Sequence, residues 1–188
     1  MKAILVHGTC SENEFYDRKF QTLSNSHWLP WLSKELMVRD IHTIAVEMPN
    51  AYYPVYDVWK REFERFALDE ETILVGHSCG GGFLVRYLSE NNIKVGKVIL
   101  VAPWLGAPDK EMDKTFFDFQ LDEKLADKTK NVSVFYSKDD DIDVLEAVEK
   151  IRSSVDNLKI ITFEDKGHFT FNDLGTSEFP ELLDEILL

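Results

Sequence analysis

Five consecutive residues, Gly76-His77-Ser78-Cys79-Gly80, set a serine between two glycines in a Gly-x-Ser-x-Gly pattern. An apolar run, Thr72–Val75, precedes them, and Phe83–Leu88 follows with helical character. Strand, sharp turn and helix form the setting in which a serine hydroxyl is displayed as a nucleophile. The reason is steric. The serine backbone is strained so that its hydroxyl stands clear of the sheet, and a side chain at Gly76 or Gly80 would collide with the neighbouring strand or helix. The first N–H groups of the new helix are unpaired and point toward that hydroxyl. The plain alternative is a glycine-rich turn that only packs a helix tightly against a sheet.

A serine hydroxyl needs a base to take its proton. Of five histidines, His168 suits the task best, in Asp165-Lys166-Gly167-His168-Phe169 directly after an apolar run. His77 lies inside the turn, where its side chain diverges from that of Ser78. His7 is expected to brace the loop after the first strand and to border the substrate. His27 and His42 read as ordinary residues away from the site. The base needs a carboxylate to hold its tautomer, and Asp139, Asp140 and Asp141 follow the fifth strand. One of them should face His168, and another can cap the next helix. Acyl transfer also needs two N–H donors for the oxyanion. Cys79, directly after the serine, should supply one and Thr9 the other, with Gly8 letting the backbone approach. Trp104 and Phe169, with Phe116 or Phe117, should border a shallow apolar slot that suits acyl chains of roughly two to six carbons, each buried methylene adding about 0.8 kcal/mol. No metal and no cofactor are expected.

The elements that must position these groups alternate along the chain. Strands are expected at Ala3–Val6, Ile41–Val46, Thr72–Val75, Lys97–Val101, Lys130–Ser137 and Lys159–Phe163. Helices are expected over about His27–Val38, over Val58–Ala67, after the sharp turn at Ser78 (the elbow), over Val144–Ile151 and over Phe179–Leu188, by the spacing of apolar residues. Ser11–Ser26 reads as a polar loop. Alternation of this kind gives a doubly wound, mostly parallel six-stranded sheet with helices on both faces. Ligands bind at the carboxyl ends of such strands, which gathers His7, Ser78, Trp104, the aspartates and His168 on one rim. The order Ser78, aspartate, His168 is that of the α/β-hydrolase fold. The connection 102–129 can fold as a short helix with a buried aromatic face or as a small lid. A large cap is not expected.

The chain has 188 residues, enough for one domain spanning 1–188. Its formal charge of −13 repels phosphates, so neither nucleic acid nor a membrane surface is an expected partner. The two cysteines, Cys10 and Cys79, make no disulfide framework. No signal peptide or spanning segment is expected, and a cytoplasmic location follows. The sequence carries no signature of an oligomeric state.

Val6-His7-Gly8, Trp28 and Trp31 with Lys34-Glu35-Leu36, Met48-Pro49, Trp59, Gly76–Gly80, Arg86-Tyr87, Ser137-Lys138-Asp139-Asp140 and Gly167-His168-Phe169 together carry a resemblance over nearly the whole chain. The protein resembles the small, nearly capless serine hydrolases related to retinoblastoma-binding protein 9. The resemblance implies Ser78 as nucleophile, His168 as base and Asp140 as the acid, with carboxylesterase-like chemistry on a small-molecule ester. Two other readings compete. One is a protein-interaction module on a hydrolase fold with an idle triad, against which the intact Ser, Asp and His candidates stand. The other is a dinucleotide-binding fold, which fails because no Gly-x-Gly-x-x-Gly follows the first strand.

Overall fold

The computed structural model of the protein describes residues 1–106 and 115–188. Six strands make one sheet: β1 (Lys2–Val6), β2 (His42–Val46), β3 (Thr72–His77), β4 (Val95–Val101), β5 (Thr129–Ser137) and β6 (Leu158–Phe163). Their order is β2-β1-β3-β4-β5-β6, and all five pairings are parallel. The sheet is therefore wholly parallel.

Every residue of β3 is buried, as are Ala3–Val6 and Val98–Val101. Successive side chains on a strand point to opposite faces, so both faces must be covered. The covering helices are α2 (Leu29–Met37), α3 (Tyr56–Phe63), α4 (Cys79–Glu90), α5 (Ile142–Ser154) and α7 (Pro180–Leu187), with two short ones, α1 (Glu12–Tyr16) and α6 (Phe171–Leu174). Trp28, just before α2, meets Phe179, at the start of α7, with ring centroids 6.0 Å apart. Between α3 and α4, Phe63 meets Phe83 at 5.3 Å. Pro180 opens α7, where its missing N–H costs nothing.

The segment 11–26 is less loop-like than its polarity suggests. Ser11 accepts a hydrogen bond from the Glu14 N–H at 3.2 Å, which starts the single turn α1. A 3₁₀ turn follows at Leu23–Asn25. In the β4–β5 connection the described part holds turns and a 3₁₀ segment, Leu125–Lys128, rather than an α-helix. Phe116 is buried there, its ring 5.2 Å from that of Trp59. The Arg86 guanidinium fastens this stretch, donating to the carbonyls of Thr115 and Phe116 while lying 3.5 Å from the Tyr56 ring centroid. The lid reading falls in part on residues 107–114, outside the described residues. No separate cap domain stands among the described residues, and none of their helices is long and apolar enough to cross a membrane.

Candidate active site

Ser78 sits between β3 and α4 at φ 54° and ψ −124°. A non-glycine residue with such a φ costs of order 1–3 kcal/mol and persists only where its surroundings over-determine it. Here they do. The Ser78 N–H donates to the Val101 carbonyl at 2.9 Å, and the Ser78 carbonyl accepts from Gly82 at 3.1 Å and Trp104 at 3.0 Å. A Cβ on Gly80 would lie 2.4 Å from the carbonyl oxygens of Val6 and His7, so only glycine lets α4 start this close to β1. The same closeness brings the next loop in. A Cβ on Gly8 would lie 2.9 Å from Ser78 Cβ. Thr9 is exposed on that loop, and Cys79 is the first residue of α4, with its side chain fully buried.

Asp140 and His168 meet across 28 residues of sequence. His168 Nδ1 lies 2.9 Å from Asp140 Oδ1 and 3.1 Å from Oδ2. A carboxylate there only accepts, so the imidazole carries its proton on Nδ1 and leaves Nε2 bare. The Asp140 carboxylate is about 1% exposed, and Oδ1 also accepts from the Asp141 N–H at 2.7 Å. Among the described residues no hydrogen bond joins Ser78 to His168. In unliganded sites such a bond is often long and tightens only when a ligand is bound.

The other two aspartates have different partners. Asp139 Oδ1 accepts from Ser137 Oγ at 2.5 Å and from the Gly167 N–H at 3.0 Å, and the Lys166 N–H donates to Ser137 Oγ at 2.8 Å. Those bonds tie the end of β5 to the loop that carries His168, and the Ser137 hydroxyl holds the Asp139 carboxyl below its ordinary range. Asp141 takes the N-cap position of α5 without a side-chain capping bond.

The His168 loop is also held by residues that sequence reasoning did not single out. Asp173 Oδ2 accepts from the backbone of His168 at 3.1 Å and of Thr170 at 3.0 Å. Thr170 and Asp173 form a capping box at α6, a spacing visible in the sequence. His77 Nε2 lies 2.8 Å from the His168 carbonyl, so that nitrogen bears the proton. His27, read as remote, belongs to this cluster. Its Nδ1 accepts from the Phe171 N–H at 3.1 Å, and its ring lies 5.8 Å from that of His77. The left-handed backbone at His27, φ 57°, turns it there, which helical spacing alone does not reveal.

Two expected pocket walls are corrected. Phe169 is fully buried, its ring 5.4 Å from both Phe163 and Phe179, and offers no surface to a ligand. Its φ of 56° sends the chain back toward the core directly after His168. His7 is 2% exposed. Its Nδ1–H donates to the Gly8 carbonyl at 2.7 Å and its Nε2 accepts from the Met48 N–H at 2.8 Å. It braces the loop and, so buried, presents almost no surface to a substrate. Trp104 is largely buried, its indole N–H on Asp143 Oδ2 at 2.6 Å.

Neither thiol is an ionised nucleophile near neutral pH. Both cysteines are free. Burial pushes Cys79 well up, and burial with Glu14 and Glu47 pushes Cys10 up to about 11, so both stay protonated near neutral pH.

Burial, with His168 and His27 adding to it, drives His77 well below the ordinary histidine range. The unfolded chain takes up that proton near pH 6.5, which the folded state refuses. Stability is therefore fully present above about pH 6.5 and is lost as pH falls below it. The melting temperature should drop between pH 7 and 5.5, and the drop should shrink in His77→Gln. An equal slope in both proteins would contradict this account of His77.

A parallel sheet in the order 2-1-3-4-5-6, with a strained serine between a central strand and its helix, defines an α/β-hydrolase fold. The chain belongs to the serine hydrolase family, whose sequence profile matches residues 19–186. It is 26% identical over 161 residues to the serine hydrolase RBBP9 of Rattus norvegicus, covering 83% of this chain and 82% of that one. Among solved structures, the ydeN gene product of B. subtilis superposes with a TM-score of 0.82 at 25% identity, over 99% of this chain and 96% of the other. The Paleococcus ferrophilus monoacylglycerol lipase shares the fold, with a TM-score of 0.66 at 16% identity over 98% and 91% of the two chains. The protein is thus a serine hydrolase by family.

Proposed function

We propose that this hydrolase is a carboxylesterase that cleaves small or short-acyl esters through Ser78, His168 and Asp140. The observation that carries the reading is the buried Asp140 carboxylate at 2.9 and 3.1 Å from His168 Nδ1, which leaves Nε2 as a base. In this reading His168 Nε2 takes the Ser78 proton as Oγ attacks the ester carbonyl. The oxyanion sits against the N–H groups of Cys79 and Thr9. The imidazolium, stabilised by Asp140, then protonates the departing alkoxide, and water repeats the sequence to free the acid. No step needs a cofactor. A buried, doubly hydrogen-bonded acid argues against an idle triad on a binding module.

A small-molecule ester in the cytoplasm, with neither nucleic acid nor a membrane as partner, fits the formal charge of −13. A series of p-nitrophenyl esters tests the substrate class. kcat/KM should rise over the first few carbons, by up to about 0.8 kcal/mol each, and level off near six. A value still climbing at twelve carbons would point to a deep acyl channel and sink the short-acyl reading.

A further inference from the structure

A cavity of about 280 Å³ lies beyond the carboxyl ends of β1 and β2. Cys10, Phe15, Phe20 and Met48 contribute apolar wall, and Glu14 and Glu47 contribute carboxylates. Cys10 stands two residues after Gly8, the residue pressed against Ser78. The cavity is therefore walled in part by the same loop that presses on Ser78, and neither Trp104 nor Phe169 lines it.

Resting on the reading of Ser78 as nucleophile and His168 as base, we propose that this cavity is the acyl site and takes a neutral, compact aromatic acyl group of about phenylacetyl size. The direction follows from the chemistry. The leaving oxygen must receive its proton from His168, so the alcohol half lies on the β5–β6 side, where Asp140 and His168 stand. The carbonyl oxygen turns toward the backbone N–H groups. The acyl half is left to the β2–β1 side, at the other end of the strand order.

Size and lining select the group. An apolar cavity of about 150 Å³ already holds benzene, so 280 Å³ admits one ring and a short linker but no long extended chain. Phe15 offers a ring face or edge, and it is itself held by Tyr16 at 5.2 Å and Tyr52 at 4.8 Å. The Glu47 carboxylate is fixed by the N–H groups of Leu23 at 3.3 Å and Ser24 at 2.9 Å. With Glu14 it makes the cavity hostile to anions, as the upward displacement of the Cys10 thiol reflects, with burial its largest cause.

The test compares p-nitrophenyl phenylacetate, acetate and hemisuccinate on the full-length protein. The wild type should favour phenylacetate over acetate in kcat/KM. Phe15→Ala and Phe20→Ala should each lower that ratio by about three- to tenfold, the effect of losing one aromatic contact. The hemisuccinate should be the poorest substrate and should gain in Glu47→Gln. A ratio is insensitive to how much of a variant folds, and Phe20 is exposed enough to tolerate truncation. Ratios unchanged in both phenylalanine variants would overturn the acyl-site assignment while leaving the esterase reading intact. A wild type that cleaves none of the three esters would overturn the esterase reading and this proposal with it.

Discussion

Replacing Ser78 by alanine should lower kcat for ester hydrolysis by on the order of 10⁶, the scale of loss when a serine hydrolase is deprived of its nucleophile. The fold should survive. Alanine carries a Cβ as serine does, so it meets the strained backbone at φ 54° on the same terms. The bonds that hold the elbow run through the backbone of residue 78 to Val101, Gly82 and Trp104, and the substitution removes none of them. The melting temperature should therefore change by no more than a few degrees. Removing a hydroxyl beside the reaction centre leaves oxyanion binding in place, so a trace of hydrolysis above water is compatible with the scheme. Hydrolysis at an undiminished rate would show that another residue attacks the ester.

Asp140→Asn should lower kcat by on the order of 10⁴ while leaving KM nearly unchanged, because the amide can present its N–H to Nδ1 and favour the wrong imidazole tautomer. The neighbouring aspartates give an internal comparison. Asp139 binds Ser137 and the Gly167 N–H, whereas the imidazole Nδ1 is hydrogen-bonded to Asp140, so Asp139→Asn should act on the stability of the His168 loop more than on tautomer choice. Asp141 contributes only its backbone N–H to Asp140, which Asp141→Asn retains. Steady-state kinetics on the three variants would separate these roles. A 10⁴-fold loss in Asp139→Asn or Asp141→Asn with an active Asp140→Asn would transfer the acid assignment.

The parts of the molecule most legible in the sequence were those governed by local rules. The elbow shows itself because a strained serine needs a strand before it, a helix after it and glycines where backbones touch. The strands show themselves as unbroken apolar runs because both faces of the sheet are buried. The element α1 escaped because none of its residues is buried, so it leaves no periodic apolar stripe. His27 escaped because its partner, Phe171, lies 144 positions away. Phe169 was misplaced for a different reason. Position after a strand places a residue on the rim but does not say where its side chain points, and one left-handed residue turned that ring into the Phe163–Phe179 cluster. The choice among three adjacent aspartates was settled in the sequence only by family resemblance. In the fold, the 2.9 Å approach of Asp140 to His168 distinguishes it from both neighbours.

The central claim is that Ser78 is the attacking atom's residue, activated by the protein around it, and covalent labelling tests that most directly. The folded protein is treated with a fluorophosphonate at neutral pH, and the adduct is located by mass spectrometry of its peptides. The account predicts a single phosphonyl group, on Ser78, that is lost on denaturation before labelling and absent in Ser78→Ala. A wild-type protein that stays unlabelled, or an adduct on any other residue, would contradict it.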